Sequence, residues 1–205
     1  MRIACLGDSN TYGYDPHSPF GGRYPYEIRW TGRLENAGIA VTNFGQNGLP
    51  AMRRAFHAVF AQSLQQAGTF ELVTVMLGSN DILLGSSAKE AAADIGHLTE
   101  VLKEVLQGSH DAGPGRDPSA ARTASPRLLL IAPPAFTRGF WVDDDRLITA
   151  SQELGPALRA VAEAQGILFA DASGWGIPLA YDGVHFTEEG HRIFSEKLLE
   201  ILKKY

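Results

Sequence analysis

The chain has 205 residues, of which 44% are hydrophobic and 20% charged, and this composition predicts a single globular domain over residues 1–205. A formal net charge of -5 and the absence of a Lys/Arg cluster among aromatic residues argue against a nucleic-acid partner. No apolar run approaches the roughly 20 residues that span a bilayer. The N-terminus leads directly into an apolar segment instead of a signal peptide. We therefore expect no membrane partner and a cytoplasmic location.

The chain begins with a short apolar run, residues 3–6, which ends in the polar turn Gly7-Asp8-Ser9-Asn10. The run is too short for a helix and contains a β-branched residue, so it predicts a buried strand. Loops at the carboxyl ends of parallel strands hold the ligands in open α/β sheets, which makes Ser9 a candidate reactive residue. The same residue types also occur in ordinary turns for purely local reasons.

Strands and helices alternate along the rest of the chain. A segment rich in Gly, Pro and aromatic residues, 11–26, is interpreted as a surface loop beside a pocket. Further strands are predicted at residues 40–43, 72–77, 128–132 and 167–170. Helices are predicted at residues 25–36, 50–67, 87–106 and 146–165, and from Thr187 as N-cap to the C-terminal region.

Two of these helix predictions depend on particular residues. Pro50 lies where a proline at the first helical position would begin the second helix. Apolar residues then recur at i, i+4 spacing and predict one buried stripe: Met52, Phe56, Phe60 and Leu64. His57 lies in the same helix and is interpreted as a packing or solvent-facing residue.

A stretch at about residues 108–126 is rich in Gly, Pro, Ser and Ala without periodicity, and is interpreted as a flexible surface insertion. A core strand resumes directly after it, so it does not separate two domains. Alternating strands and helices predict a three-layer α/β/α domain with a parallel sheet. The single cysteine, Cys5, lies in the first strand and is interpreted as a small buried hydrophobe.

Polar residues after several strands would meet at one edge of such a sheet. A serine hydroxyl is a poor nucleophile unless a base takes its proton, and histidine can do so near neutral pH. His185 is the candidate base for Ser9, and Asp182 is the candidate acceptor that orients its ring. An Asp-x-x-His string is by itself weak evidence, because both residues are common in solvated loops.

Acyl transfer also requires hydrogen-bond donors for the oxyanion of the tetrahedral intermediate. The candidates are the backbone N–H groups of Ser9 and Gly48 and the side-chain amide of Asn80, each from a turn after a different strand. A tight turn would equally explain Gly48, and a hydrogen bond within its own loop would explain Asn80. The histidines and acids show no metal-binding spacing, so no metal and no organic cofactor are expected.

Four blocks of sequence resemble those of the SGNH (GDSL-type) hydrolases: Gly7-Asp8-Ser9, residues 43–48, Gly78-Ser79-Asn80-Asp81 and Asp182-Gly183-Val184-His185. The resemblance covers nearly the whole chain. It implies Ser9 as nucleophile, His185 and Asp182 as base and orienting acid, and Ser9, Gly48 and Asn80 as the oxyanion hole, with Gly45 as the fallback for Gly48. Asn10 departs from the leucine that often follows the serine. The implied fold is flavodoxin-like, with five parallel strands in the order 2-1-3-4-5.

Within that family, Arg29-Trp30, Met76-Leu77 and Pro133-Pro134 resemble the small arylesterase and carbohydrate-esterase members. This resemblance implies short acyl groups, acetyl above all, and an open site. Four loop aromatics are candidates for lining the alcohol side of the pocket, although loop aromatics are as often packing anchors: Phe136, Trp141, Trp175 and Tyr181.

The sequence thus predicts a serine esterase that hydrolyses short-chain, chiefly acetyl, esters of a small alcohol, aryl or carbohydrate compound. Acyl transfer to an alcohol by the same residues is one alternative. A flavodoxin-like ligand-binding module is another, although the chain lacks a Gly-x-Gly-x-x-Gly fingerprint and a Walker lysine. A protein that binds acylated glycans without cleaving them is a third. The sequence leaves open whether the chain forms a homo-oligomer.

Overall fold

A central parallel sheet organises the protein, for which a computed structural model describes residues 1–18, 21–108 and 127–204. The strands are β1 (Arg2–Gly7), β2 (Tyr14–Asp15), β3 (Gly22–Arg23), β4 (Ala40–Gly45), β5 (Leu72–Met76), β6 (Arg127–Ala132) and β7 (Leu168–Asp171). β2 and β3 form a small antiparallel hairpin, and the other five form the sheet in the order β4-β1-β5-β6-β7. Counted within the sheet this is 2-1-3-4-5, so the predicted flavodoxin-like topology is confirmed.

Helices cover both faces of the sheet. They are α1 (Ser9–Tyr12), α2 (Trp30–Asn36), α3 (Ala55–Ala67), α4 (Ser79–Leu83), α5 (Ala88–Gly108), α6 (Asp145–Gln165) and α7 (Glu188–Leu202). Successive residues of a strand point to opposite faces. Accordingly Ala4 and Leu6 of β1 join the core formed with α3, α5 and α6, whereas Ile3 and Cys5 join the core formed with α2 and α7. The three-layer architecture predicted from the sequence is confirmed.

Two predicted helices begin later than expected. The first starts at Trp30 instead of residue 25, because Arg29 has an extended backbone with ψ 137°. The second starts at Ala55, so Pro50 does not begin it and Met52 is 40% exposed instead of buried. The backbone N–H groups of Ala51 and Met52 bond to the carboxylate of Asp81, at 2.9 and 2.8 Å, instead of entering a helix.

The polar turns after β1 and β5 are also more regular than predicted, because each contains a short helix, α1 and α4. The predicted N-cap of the last helix is confirmed: the Thr187 side chain accepts a hydrogen bond from the N–H of Gly190 at 3.0 Å. Cys5 is fully buried, and burial raises the pKa of its thiol to about 12, in keeping with a role in packing.

The insertion predicted at about residues 108–126 lies, apart from Gly108, outside the described residues. The single-domain assignment stays a prediction. None of the helices within residues 1–18, 21–108 and 127–204 combines the length and apolar character required to cross a membrane.

Candidate active site

The predicted reactive residues all follow strands at the carboxyl edge of the sheet. Ser9 is the first residue of α1 and follows β1 after Asp8, and Asn80 is the second residue of α4, after β5. Gly48 follows β4, and the loop with Asp182 and His185 follows β7. The parallel topology therefore delivers these residues to one edge from four different strands.

Ser9, His185 and Asp182 form a continuous chain of side-chain contacts. The Oγ atom of Ser9 lies 2.9 Å from Nε2 of His185, and Nδ1 of His185 lies 2.6 Å from Oδ2 of Asp182. Ser9 and Asp182 are nearly inaccessible, at 5% and 1% exposure. The three residues predicted from the sequence to act together are thus within hydrogen-bond distance of one another.

The environment of Asp182 determines which ring nitrogen of His185 carries the proton. Burial acts to raise the pKa of Asp182, but hydrogen bonds from the His185 ring and from backbone N–H groups outweigh it, so the pKa lies below its ordinary value. The Oδ1 atom accepts the N–H groups of Val184 and His185, both at 2.9 Å. A carboxylate only accepts, so Nδ1 of the neutral ring donates to it and Nε2 accepts from the Ser9 hydroxyl.

The loop that carries Asp182 and His185 is held by backbone contacts to residues 137–142. The N–H of Thr137 donates to Gly183 O at 3.1 Å, and the N–H of Trp141 donates to Asp182 O at 3.0 Å. Gly183 has φ +82°, and a Cβ atom built there would lie 2.1 Å from the carbonyl oxygen of Thr137. This close approach of two backbones requires glycine.

The candidate oxyanion donors differ in whether they already have partners. The N–H of Gly45 bonds to the side chain of Asn43 at 2.8 Å, so this fallback residue has no donor to offer. Within residues 1–18, 21–108 and 127–204, the N–H groups of Ser9 and Gly48 make no hydrogen bond. Gly48, with φ +69° and open space around it, keeps its donor available.

The side chain of Asn80 lies between the other parts of this edge. Its Nδ2 atom is 3.3 Å from Leu49 O and 3.5 Å from Oδ2 of Asp8. Both distances are long for hydrogen bonds, so neither contact holds the amide strongly. The side chain therefore joins the segment after Gly48 to the turn that carries the serine.

Residues 49–52, which follow Gly48, are held in place by the side chains of Asp81 and His57. Asp81 accepts the N–H groups of Ala51 and Met52, as described above, and Nε2 of His57 lies 2.8 Å from Ala51 O. His57 is 3% exposed and burial lowers its pKa, so it is a packing residue, consistent with the interpretation from sequence. These contacts fix the backbone next to Gly48.

Asp8 is an additional buried carboxyl group at the site. It is the N-cap of α1, and its Oδ1 atom accepts the N–H of Asn10 at 3.0 Å. Burial raises the pKa of Asp8 to about 6, against the opposing effects of the Asn10 N–H and of His185. The residue before the serine thus carries a buried carboxyl group whose pKa is raised towards neutral.

The four predicted pocket aromatics lie in different surroundings. Phe136 is 3% exposed within the core, and the half-buried Trp175 packs against Phe194 with ring centroids 5.2 Å apart, so packing accounts for both. Trp141 and Tyr181 are 58% and 61% exposed on the two segments next to Asp182. Only these two have exposed rings that a ligand could contact.

Sequence reasoning did not identify Tyr14, whose ring lies 4.6 Å from that of His185, centroid to centroid. The segment after Tyr14 and the start of α7 line a cavity of about 340 Å³. Its lining residues are Asp15, His17, Tyr24, Thr187, Glu188 and Glu189. The aromatic-rich composition of residues 11–26 predicted a pocket wall but could not specify which ring faces the histidine.

Among described residues, no group of three or more His, Cys, Asp or Glu side chains is arranged to hold a metal ion.

Comparison with known proteins identifies the family. Residues 5–193 match the GDSL-like lipase/acylhydrolase family, and the chain belongs to this family of carboxylic ester hydrolases. The resemblance noted in the sequence is thereby confirmed.

Similar proteins are known at the level of sequence and of structure. An acetylxylan esterase of Xylanibacter ruminicola is 27% identical over 99% of the chain, which spans only 43% of that relative's length. A carbohydrate acetylesterase family member from Sinorhizobium meliloti is 25% identical, with a TM-score of 0.78 over 99% of this chain and 97% of that one. The aryl esterase of M. smegmatis, 24% identical, shares the fold with a TM-score of 0.80 over 99% and 98% of the two chains.

Replacing Gly183 with alanine should disrupt the loop that carries the candidate base. We expect Gly183→Ala to lower kcat by at least about tenfold and to destabilise the protein by more than the ~1–2 kcal/mol of left-handed backbone strain alone. Gly176→Ala is the matched control, because Gly176 has φ +68° but open space around it. Equal losses of stability and full activity in both variants, from chemical denaturation and initial rates, would contradict the steric requirement at Gly183.

Replacing Asp8 with asparagine should change how stability depends on pH. The raised pKa means that Asp8 favours the folded state below its ordinary value of 3.8 and loses this contribution as pH rises through about 6. Asn is an equally good N-cap. We expect the unfolding free energy of Asp8→Asn, relative to wild type, to increase by about 2 kcal/mol between pH 4 and pH 8. A difference that does not vary over this range in urea titrations would refute a raised pKa.

Proposed function

We propose that the protein is a serine esterase that hydrolyses short-chain esters through an acyl-enzyme on Ser9. The observation that carries this proposal is the chain of contacts from Ser9 Oγ to His185 at 2.9 Å and from His185 to the buried Asp182 at 2.6 Å. These contacts give Ser9 a base, His185, whose ring is oriented by Asp182. Membership of the GDSL-like lipase/acylhydrolase family supports ester chemistry at this site.

The reaction begins when Ser9 Oγ attacks the ester carbonyl and its proton passes to Nε2 of His185. Asp182 stabilises the imidazolium that forms and keeps Nδ1 as the donor. His185 then returns the proton to the leaving alkoxide, which departs as the alcohol. A water molecule, deprotonated by the same nitrogen, attacks the acyl-enzyme and releases the acid, and Ser9 regains its proton.

The oxyanion of each tetrahedral intermediate is assigned to three donors: the N–H groups of Ser9 and Gly48 and the side chain of Asn80. The two backbone groups have no other partner among described residues, which leaves them available. The amide of Asn80 is held only by contacts of 3.3 and 3.5 Å, so an oxyanion can replace either of them at little cost. Donors placed before the reaction lower the barrier because they need not reorganise as charge develops.

For the substrate we propose a short acyl group, acetyl above all, on a carbohydrate, aryl or other small alcohol. Two relatives with 25% identity or more are described as an acetylxylan esterase and a carbohydrate acetylesterase family member. The exposed rings of Trp141 and Tyr181 flank the loop of Asp182 and offer flat surfaces to an aryl or sugar ring. A panel of acetylated sugars, aryl acetates and longer acyl esters would rank these substrates.

Removal of the Ser9 hydroxyl should abolish hydrolysis. Ser9→Ala is expected to reduce kcat on a short-chain aryl acetate by at least about 10⁴-fold, with an unchanged circular dichroism spectrum. Ser63→Ala on α3, whose hydroxyl donates to Val59 O within the same helix, is the matched control and should keep wild-type rates. Undiminished turnover by Ser9→Ala would end the proposal.

Truncation of Asn80 tests the oxyanion assignment separately. We expect Asn80→Ala to lower kcat by about 10²- to 10³-fold with little change in KM, because the donor acts mainly in the transition state. Steady-state kinetics on the same aryl acetate provide the measurement. A variant whose KM rises while kcat stays constant would place Asn80 in substrate binding instead.

A further inference from the structure

Asn10, the residue after the candidate nucleophile, contacts both neighbours of the candidate base. Its Nδ2 atom donates to Val184 O at 3.1 Å, and its Oδ1 atom accepts the N–H of Phe186 at 2.9 Å. Val184 and Phe186 flank His185 in the chain. One side-chain amide thus bonds to the backbone on either side of the histidine.

The chemistry of these two bonds requires an amide. Asparagine carries a donor and an acceptor on one short planar group, whereas leucine carries neither and an ionised aspartate only accepts. A carboxylate at this position would face the carbonyl oxygen of Val184 without a proton between them. At 4% exposure, neither bond is readily replaced by water. Loss of the amide would therefore leave two buried backbone groups unpaired.

The backbone of Asn10 is itself held by two hydrogen bonds, one at its N–H group and one at its carbonyl oxygen. Its N–H donates to Asp8 Oδ1, and its carbonyl oxygen accepts Nε1 of Trp30 at 2.9 Å. Trp30 is 1% exposed and packs against Phe194 in the core of α2 and α7. The amide therefore projects from a rigid support.

We propose that Asn10 is a positioning residue that holds His185 at hydrogen-bond distance from Ser9. Ser9 and Asn10 are consecutive in α1, so bonds from Asn10 to Val184 and Phe186 fix the histidine backbone relative to the serine. Asp182 orients the His185 ring, and Asn10 fixes the position of the His185 backbone from which the ring projects. This inference rests on the proposed function of Ser9 and His185.

The test compares Asn10→Leu with wild type by two readouts, turnover of an aryl acetate and the rate of inactivation by an aryl phosphonate that modifies serine. Both depend on proton transfer from Ser9 to His185. We expect both rates to fall by about 10- to 100-fold, as for a displaced catalytic group, with KM changed by no more than about threefold. Wild-type rates in both assays would overturn the proposal.

A matched control separates positioning from general destabilisation. Gln165 also bridges two elements, α6 and α5, through a partly buried amide, with Nε2 donating to Gly96 O and Oε1 accepting from Thr99. Gln165 ends α6 just before β7, at the edge of the sheet opposite the one that carries the site. Gln165→Leu should lose stability but keep wild-type kcat and inactivation rate. If Gln165→Leu lowers kcat as much as Asn10→Leu at an equal loss of stability, the positioning role is wrong.

Two further variants complete the design. Asn10→Asp keeps the shape and the acceptor for Phe186 but loses the donor to Val184 O; it should also lose kcat, and it replaces Asn10→Leu if that variant does not fold. Ser9→Ala is assayed in parallel. If Ser9→Ala remains active, the proposed function fails; if it is inactive while Asn10→Leu and Asn10→Asp match wild type, only the role of Asn10 fails.

Discussion

The carboxylate of Asp182 is the group on which the site depends. Burial alone would favour its neutral form, but hydrogen bonds from the His185 ring and from two backbone N–H groups lower its pKa. Three donors converge on one carboxylate because the chain turns back on itself within four residues. That turn is possible because Gly183 adopts a positive φ against the backbone of Thr137. The orientation of the histidine follows from this arrangement.

The parallel sheet supplies the remaining geometry. Strands β1, β4, β5 and β7 deliver Ser9, Gly48, Asn80 and the histidine loop to one edge. Because the site residues follow separate strands, hydrogen bonds between their loops are needed to keep their side chains about 3 Å apart. Asn10 provides such bonds between α1 and the histidine loop, and Asp81 of α4 provides others to Ala51 and Met52.

The resemblance to the SGNH hydrolases implied the strand order and, together with the shared sheet edge, the association of Ser9, His185 and Asp182. The sequence itself predicted the five sheet strands, because buried strands and their polar ends leave a local pattern. It failed where long-range contacts override local preference. Pro50 suggested a helix start, yet Asp81 holds Ala51 and Met52 outside any helix. The sequence indicates only that Asn10 departs from the leucine that often follows the serine, since the partners of its side chain lie 174 and 176 residues away. Phe136 and Tyr14 show that composition alone does not tell which loop aromatic faces the site.

The proposed mechanism requires that Ser9 forms the covalent intermediate with His185 as its base. Treatment of the intact protein with an aryl phosphonate, followed by peptide mapping by mass spectrometry, tests it most directly. We expect one phosphonyl group per chain, located on Ser9, and loss of esterase activity in proportion to labelling. Labelling of another residue in step with the loss of activity, or full labelling of Ser9 with activity retained, would contradict it.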